Sequence, residues 1–160
     1  MELVRKEQVF IIPDKHAKKP KYKSHNPITI AIPKAQQELI KAIPRRSYQA
    51  FTDNVATPTD WYNLCFRIRI GYDLADKYYT QEALDELKKA LDAILAIKDT
   101  YLTSGVLSFN LGHSEVIGDA LDYTDEMCDQ NTRRAQLDAF HASDRFIKAI
   151  VKEINARSNT

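Results

Sequence analysis

The residues best suited to chemistry in this chain are cations close to its N-terminus. Residues 1–50 hold 11 Lys and Arg against 4 Asp and Glu, a net charge of +7, whereas residues 51–160 hold 12 against 18, a net charge of −6. Lysine and arginine neutralise phosphates, and tyrosines placed among them can stack on bases. The pattern therefore predicts a contact with DNA or RNA. The residues assigned to it are Lys15, Lys18, Lys19, Lys21, Tyr22, Lys23, Arg45, Arg46 and Tyr48.

The same basic region supports two other interpretations. Because the lysine-rich segment shows no hydrophobic periodicity, it can be a solvated arm that keeps the protein soluble. It can also dock on carboxylates of the same chain or of a second copy. In each case we expect residues 1–27 to form a basic, flexible arm and residues 28–160 to form a helical domain.

A second charged pattern lies on the helix predicted over residues 115–129. Five carboxylates recur there at i, i+4, i+7, i+11 and i+14, which places them on one stripe of the helix. A solvated outer face explains this stripe most simply. The stripe also suits an adaptor or inhibitor that binds a basic protein partner or imitates a phosphate backbone. Its members are Glu115, Asp119, Asp122, Glu126 and Asp129.

A carboxylate and histidine metal site is the third hypothesis. His141 and Asp144 stand three residues apart, and His113 and Glu115 flank the start of the predicted 115–129 helix. Helical di-iron proteins use a Glu-x-x-His pair, which does not occur in this sequence. Glycine-rich phosphate loops and the G-x-S-x-G, H-E-x-x-H and C-x-x-C motifs are also missing. We therefore expect no catalytic residues, no metal and no cofactor.

Hydrophobic periodicity indicates how these residues are positioned. Four long amphipathic helices are predicted, over residues 58–77, 80–105, 115–129 and 132–156. Thr57, Pro58 and Asp60 give the first of them a capped start, and Gly105 ends the second. A short helix is expected to begin at Pro33, and Pro44 is expected to end or kink it. The fold class is therefore mainly α, an antiparallel bundle of four long helices with a short N-terminal helix.

Two short β-branched runs, residues 8–12 and 28–32, each end at a proline and allow a small β-ribbon. The stretch ITIAIPKAQQELIKAI, residues 28–43, resembles the opening of a ribbon–helix–helix DNA-binding protein. The resemblance implies that Thr29 and Ala31 face the major groove, while Ile28, Ile30 and Ile32 face the core. It covers about 16 residues and departs from the family over residues 44–57, where the family has a short turn.

These patterns favour a small, non-catalytic regulatory or accessory protein that contacts DNA or RNA through its basic N-terminal region and acts as a homodimer. The 44% hydrophobic and 28% charged content is ordinary for a globular chain. The apolar run VFII is far too short for a signal-peptide core or a membrane span. Cys65 and Cys128 fall on apolar helix faces, where free buried thiols are expected. We therefore expect a cytoplasmic protein.

Overall fold

A computed structural model describes residues 3–5, 34–110 and 112–158 of the chain. The described part is mainly helical, which confirms the predicted fold class at that level. Its only β-type pairing is a single antiparallel bridge between Arg5 and Tyr79. The five helices are α1 (Lys34–Thr52), α2 (Pro58–Tyr78), α3 (Gln81–Ser104), α4 (His113–Gln130) and α5 (Arg133–Ser158).

The ends of α2 and α3 follow from local sequence signals. Asp60 accepts a hydrogen bond from the backbone N–H of Thr57 at 2.8 Å, so the predicted capped start of α2 is confirmed. Gly105 adopts a φ of +75°, in the left-handed region that glycine tolerates without a Cβ penalty. Its N–H donates to the carbonyl of Tyr101 at 2.8 Å and closes the last turn of α3.

Pro44 was predicted to end or kink a short first helix, and the prediction that it ends the helix is wrong. α1 continues past Pro44 to Thr52 and is 19 residues long in all. Proline inside a helix costs about 3 kcal/mol because it removes one backbone hydrogen bond. Long-range contacts beyond the proline offset that cost: Phe51 is only 1% exposed, and the Tyr48 hydroxyl donates to the Ser114 carbonyl at 2.9 Å.

Helix α2 lies at the centre of the fold and packs against each of the other four helices. Leu64, Ile68 and Leu74 on it are completely buried. Gly71 allows α2 and α4 to approach closely. A Cβ at this position would overlap Oγ1 of Thr124 and would lie 2.8 Å from Cδ1 of Leu87. The central helix therefore holds α3 and α4 against one part of its surface, while α1 and α5 occupy others.

The beginning of the predicted arm lies against this body. The Val4 carbonyl accepts the N–H of Thr80 at 3.0 Å, and the Arg5 guanidinium donates to the Asn131 side chain at 2.7 Å. Most of the predicted arm, both predicted strands and the ribbon–helix–helix residues Thr29 and Ala31 lie outside the described residues. Among the helices that the structure describes, none is long and apolar enough to cross a membrane.

Candidate protein-binding surface

Arg45, which the charge pattern assigned to nucleic acid, is held against α4. One guanidinium nitrogen lies 2.6 Å from a carboxylate oxygen of Asp122 and 3.0 Å from one of Asp125. Burial lowers the pKa of Arg45, but the hydrogen bonds to the two carboxylates outweigh burial and raise it. The cation of Arg45 is therefore largely neutralised inside the molecule.

Two further cations strengthen the same seam between α4 and its neighbours. Lys41 lies 2.8 Å from Asp129, and this hydrogen bond is the main cause of its raised pKa. Arg67 of α2 is buried and donates to the other oxygen of Asp125 at 2.8 Å. Asp125 therefore accepts from two arginines on two different helices, and the charge of the α4 edge that faces α1 is neutralised.

Of the other residues assigned to nucleic acid, the structure describes Arg46 and Tyr48. Arg46 is exposed, one position beyond the neutralised Arg45. Tyr48 is tied into the fold, because its hydroxyl bonds Ser114 and its ring lies 5.3 Å from that of Phe109. The remaining members lie outside the described residues, and their roles stay predictions. They are Lys15, Lys18, Lys19, Lys21, Tyr22, Lys23 and Thr29.

All five carboxylates of the predicted acidic stripe are exposed, but they do not share one environment. Asp122 and Asp129 turn to the cations of α1, as described above. Glu115, Asp119 and Glu126 lie on the remaining part of the exposed surface of α4. The stripe therefore has two parts. Asp122 and Asp129 bind cations of α1, whereas Glu115, Asp119 and Glu126 do not.

Acidic residues of α3 lie beside the carboxylates of α4 that do not bind α1. Charge patterns in the sequence did not predict this contribution of α3. Tyr123 of α4 is close enough to acids of both helices to be affected by their charge. Burial raises the pKa of its hydroxyl, and the negative charges of Asp119, Glu86, Asp122 and Glu82 raise it further. Lys89 neutralises Glu86 in part, at 3.0 Å. We call the surface formed by Glu82, Glu86, Asp119 and Glu126 the acidic face.

Two of the residues considered for a metal site, His113 and Asp144, have other partners in the structure. His113 accepts a hydrogen bond from the Asn110 backbone N–H through Nδ1 at 3.2 Å. Asp144 pairs with Lys148 at 2.8 Å. Across the described residues, no group of three or more His, Cys, Asp or Glu side chains is arranged to hold a metal ion.

Both cysteines are free and buried, which confirms the expectation from their apolar positions. Burial raises the pKa of the Cys65 thiol to about 12 and also raises that of Cys128. The thiolate is the nucleophilic form of cysteine, so these shifts suppress its reactivity at neutral pH. The two cysteines therefore act as small apolar core residues.

Comparisons of the chain with protein-family models, curated proteins and solved structures give no significant match.

Proposed function

We propose that this chain is a small, non-catalytic adaptor that binds a basic segment of a protein partner on its acidic face. The observation that carries the proposal is the division of charge on α4. Its carboxylates nearest α1 are neutralised by Lys41 and Arg45, whereas acids farther round the helix remain exposed beside those of α3. A surface with several negatively charged carboxylates attracts a basic partner and steers its approach.

The contact with DNA or RNA stays a second proposal. It depends on the lysines of residues 15–23 and on the exposed Arg46. It has lost the support of Arg45, because transfer of that guanidinium to a phosphate would break its bonds to Asp122 and Asp125. The acidic face would also repel a polyanion that approached from the side of α3 and α4.

The test is a binding titration with a defined basic probe, a fluorescein-labelled helical peptide of about 20 residues made of Lys and Ala. The acidic face is neutralised by Glu82→Gln, Asp119→Asn and Glu126→Gln in one variant. The control removes the same charge elsewhere by Asp53→Asn, Asp138→Asn and Glu153→Gln. Neither set touches Asp122 or Asp125, so the seam with α1 is retained.

We expect the acidic-face variant to bind the peptide roughly tenfold more weakly, since three surface charge contacts of about 0.5 kcal/mol each correspond to that factor. The control variant should stay within about twofold of the natural protein. Equal weakening in both variants would show attraction by net charge alone and would contradict the proposal. Unchanged binding in both variants would also contradict the proposal.

A further inference from the structure

An apolar groove lies between α1 and α5, with α2 as its floor. It consists of two adjoining hollows of about 330 and 150 Å³, which share the apolar residues Ile40, Ile70 and Phe140. An aromatic row runs across it, with the rings of Tyr62 and Phe66 centred 5.8 Å apart and those of Phe66 and Phe140 4.9 Å apart. The apolar groove is defined by Ile40, Ile43, Tyr62, Phe66, Ile70, Leu137 and Phe140.

Several side chains of the groove are unusually exposed for apolar residues. Ile40 is 44% exposed, Ile43 45%, Tyr62 40% and Phe140 46%. Single exposed apolar residues are ordinary on protein surfaces. A contiguous group on three helices is instead typical of a surface that packs against a further stretch of polypeptide.

Two charged residues in the walls of the groove are already paired inside the molecule. Arg67 donates to Asp125 at 2.8 Å, and Asp144 pairs with Lys148 at 2.8 Å. A charged segment would have to break these pairs to gain from either residue. An uncharged, apolar segment therefore suits the groove better than a charged one.

The N-terminal stretch of the chain reaches the body beside one end of this groove. The Arg5 guanidinium donates to the Asn131 side chain at 2.7 Å. The backbone carbonyl of Asn131 accepts a hydrogen bond from the side chain of Gln136 at 3.1 Å, and Gln136 lines the smaller hollow. The chain beyond Arg5 therefore starts close to the groove.

The chain also returns at the same end of the groove. α1 begins at Lys34, and Gln37 and Ile40 on its first turns border a narrow adjoining space together with Gln136. Residues 6–33, the 28 residues between these two points, lie outside the described part of the chain. A stretch of that length can reach about 90 Å when extended. Because it is tethered at both ends, it meets the groove at an effective concentration on the order of millimolar.

We propose that residues 9–12 of the same chain, the sequence VFII, occupy the apolar groove. These four consecutive apolar residues follow Arg5 after a link of three residues, which spans about 10 Å when extended. The run itself spans about 13 Å when extended, and the groove from Tyr62 to Ile70 runs about 12 Å along α2. Phe10 at its centre is suited to extend the aromatic row of the groove.

The rest of residues 6–33 fits the groove less well. The lysines of residues 15–23 are charged, and the groove has no unpaired carboxylate to receive them among its described residues. The second apolar run, residues 28–32, is separated from α1 by Pro33 alone. That run would have to reverse direction over a single residue to lie along α1.

This intramolecular contact goes beyond the proposed adaptor function and does not depend on it. The groove is lined mainly by α1, α2 and α5, whereas the acidic face is built from α3 and α4. The contact shields an apolar surface that would otherwise be open to other proteins.

Nuclear Overhauser contacts in the full chain, labelled with ¹³C at its methyl groups and at phenylalanine, test the proposal directly. We expect contacts between the ring of Phe10 and the methyl groups of Ile40 and Ile43. They should be the same in a sample diluted about tenfold, because a contact within one chain does not depend on concentration. Absence of these contacts would overturn the proposal, and contacts that fade on dilution would overturn it in favour of a second copy.

A matched pair of variants in the full chain provides the second test. Phe10→Ser should raise the fluorescence of the apolar dye ANS at least about twofold, because it opens the groove to the dye. Ile30→Ser makes a comparable change in the other apolar run and should leave the fluorescence unchanged. Helical circular dichroism establishes that both variants are folded. An equal rise in both variants, or a rise in Ile30→Ser alone, would overturn the assignment of residues 9–12 to the groove.

Discussion

The guanidinium of Arg45 lies 2.6 Å from the carboxylate of Asp122, across 77 residues of sequence. The two residues belong to the charge patterns that suggested two different functions, one for nucleic acid and one for a protein partner. In the folded chain each neutralises the other. What remains of the acidic pattern is the part that α1 does not reach, and the functional proposal depends on that part.

Asp125 should contribute far more to stability than Asp122. The Asp125 side chain is 16% exposed and accepts from both Arg67 and Arg45, whereas that of Asp122 is 67% exposed. We expect Asp125→Ala to lower the free energy of unfolding by about 3 kcal/mol, because it leaves the buried Arg67 without its carboxylate. Asp122→Ala should cost less than about 1 kcal/mol. Urea denaturation of both variants measures the difference, and equal losses would contradict the assigned geometry.

Gly71→Ala should destabilise the protein even though alanine is the better helix former. A methyl group gains about 1 kcal/mol of helix propensity at this site, but it overlaps Thr124 on α4. We expect a net loss of about 2 kcal/mol from the forced shift. Adding Thr124→Ala should recover part of that loss in a double-mutant cycle. A stabilising Gly71→Ala would show that α2 and α4 are farther apart.

The two thiols should resist modification in the folded protein. With the pKa of Cys65 raised to about 12, its thiolate fraction at pH 8 falls on the order of 1,000-fold below that of a free cysteine. Labelling with an aromatic disulfide reagent, followed by absorbance, should therefore be slow in buffer and fast in urea for both cysteines. Rapid reaction of either thiol in buffer would contradict its burial.

Stability should fall at alkaline pH through Tyr79. Burial raises the pKa of its hydroxyl above the ordinary value of 10.0. A raised pKa favours the neutral form in the folded state, so this contribution is complete below pH 10 and is lost as the pH rises through the folded pKa. Urea midpoints at pH 8 and pH 11 should differ less for Tyr79→Phe than for the natural protein. An identical pH dependence would remove Tyr79 as the cause.

The parts of the fold that depend on neighbouring residues could be predicted from sequence. The capped start at Thr57 and Asp60 and the glycine stop at Gly105 are local signals, and both were placed correctly. Pro44 was not, since its local preference is outweighed by contacts of Tyr48 and Phe51 with distant parts of the chain.

The candidate site was harder to predict than the helices. Charge counting identified Arg45 and Asp122 as members of two patterns, but it carries no information on which residues pair across 77 positions. The contribution of Glu82 and Glu86 to the acidic face depends on how α3 packs beside α4.

An NMR titration of the ¹⁵N-labelled full chain with the Lys and Ala peptide, and separately with a DNA duplex of about 20 base pairs, distinguishes the two functional proposals. We predict that the peptide shifts the amide signals of Glu82, Asp119 and Glu126, and that these shifts weaken with salt. Shifts caused by the duplex, concentrated at residues 15–23 and Arg46 with no response to the peptide, would contradict the adaptor function and favour nucleic-acid binding.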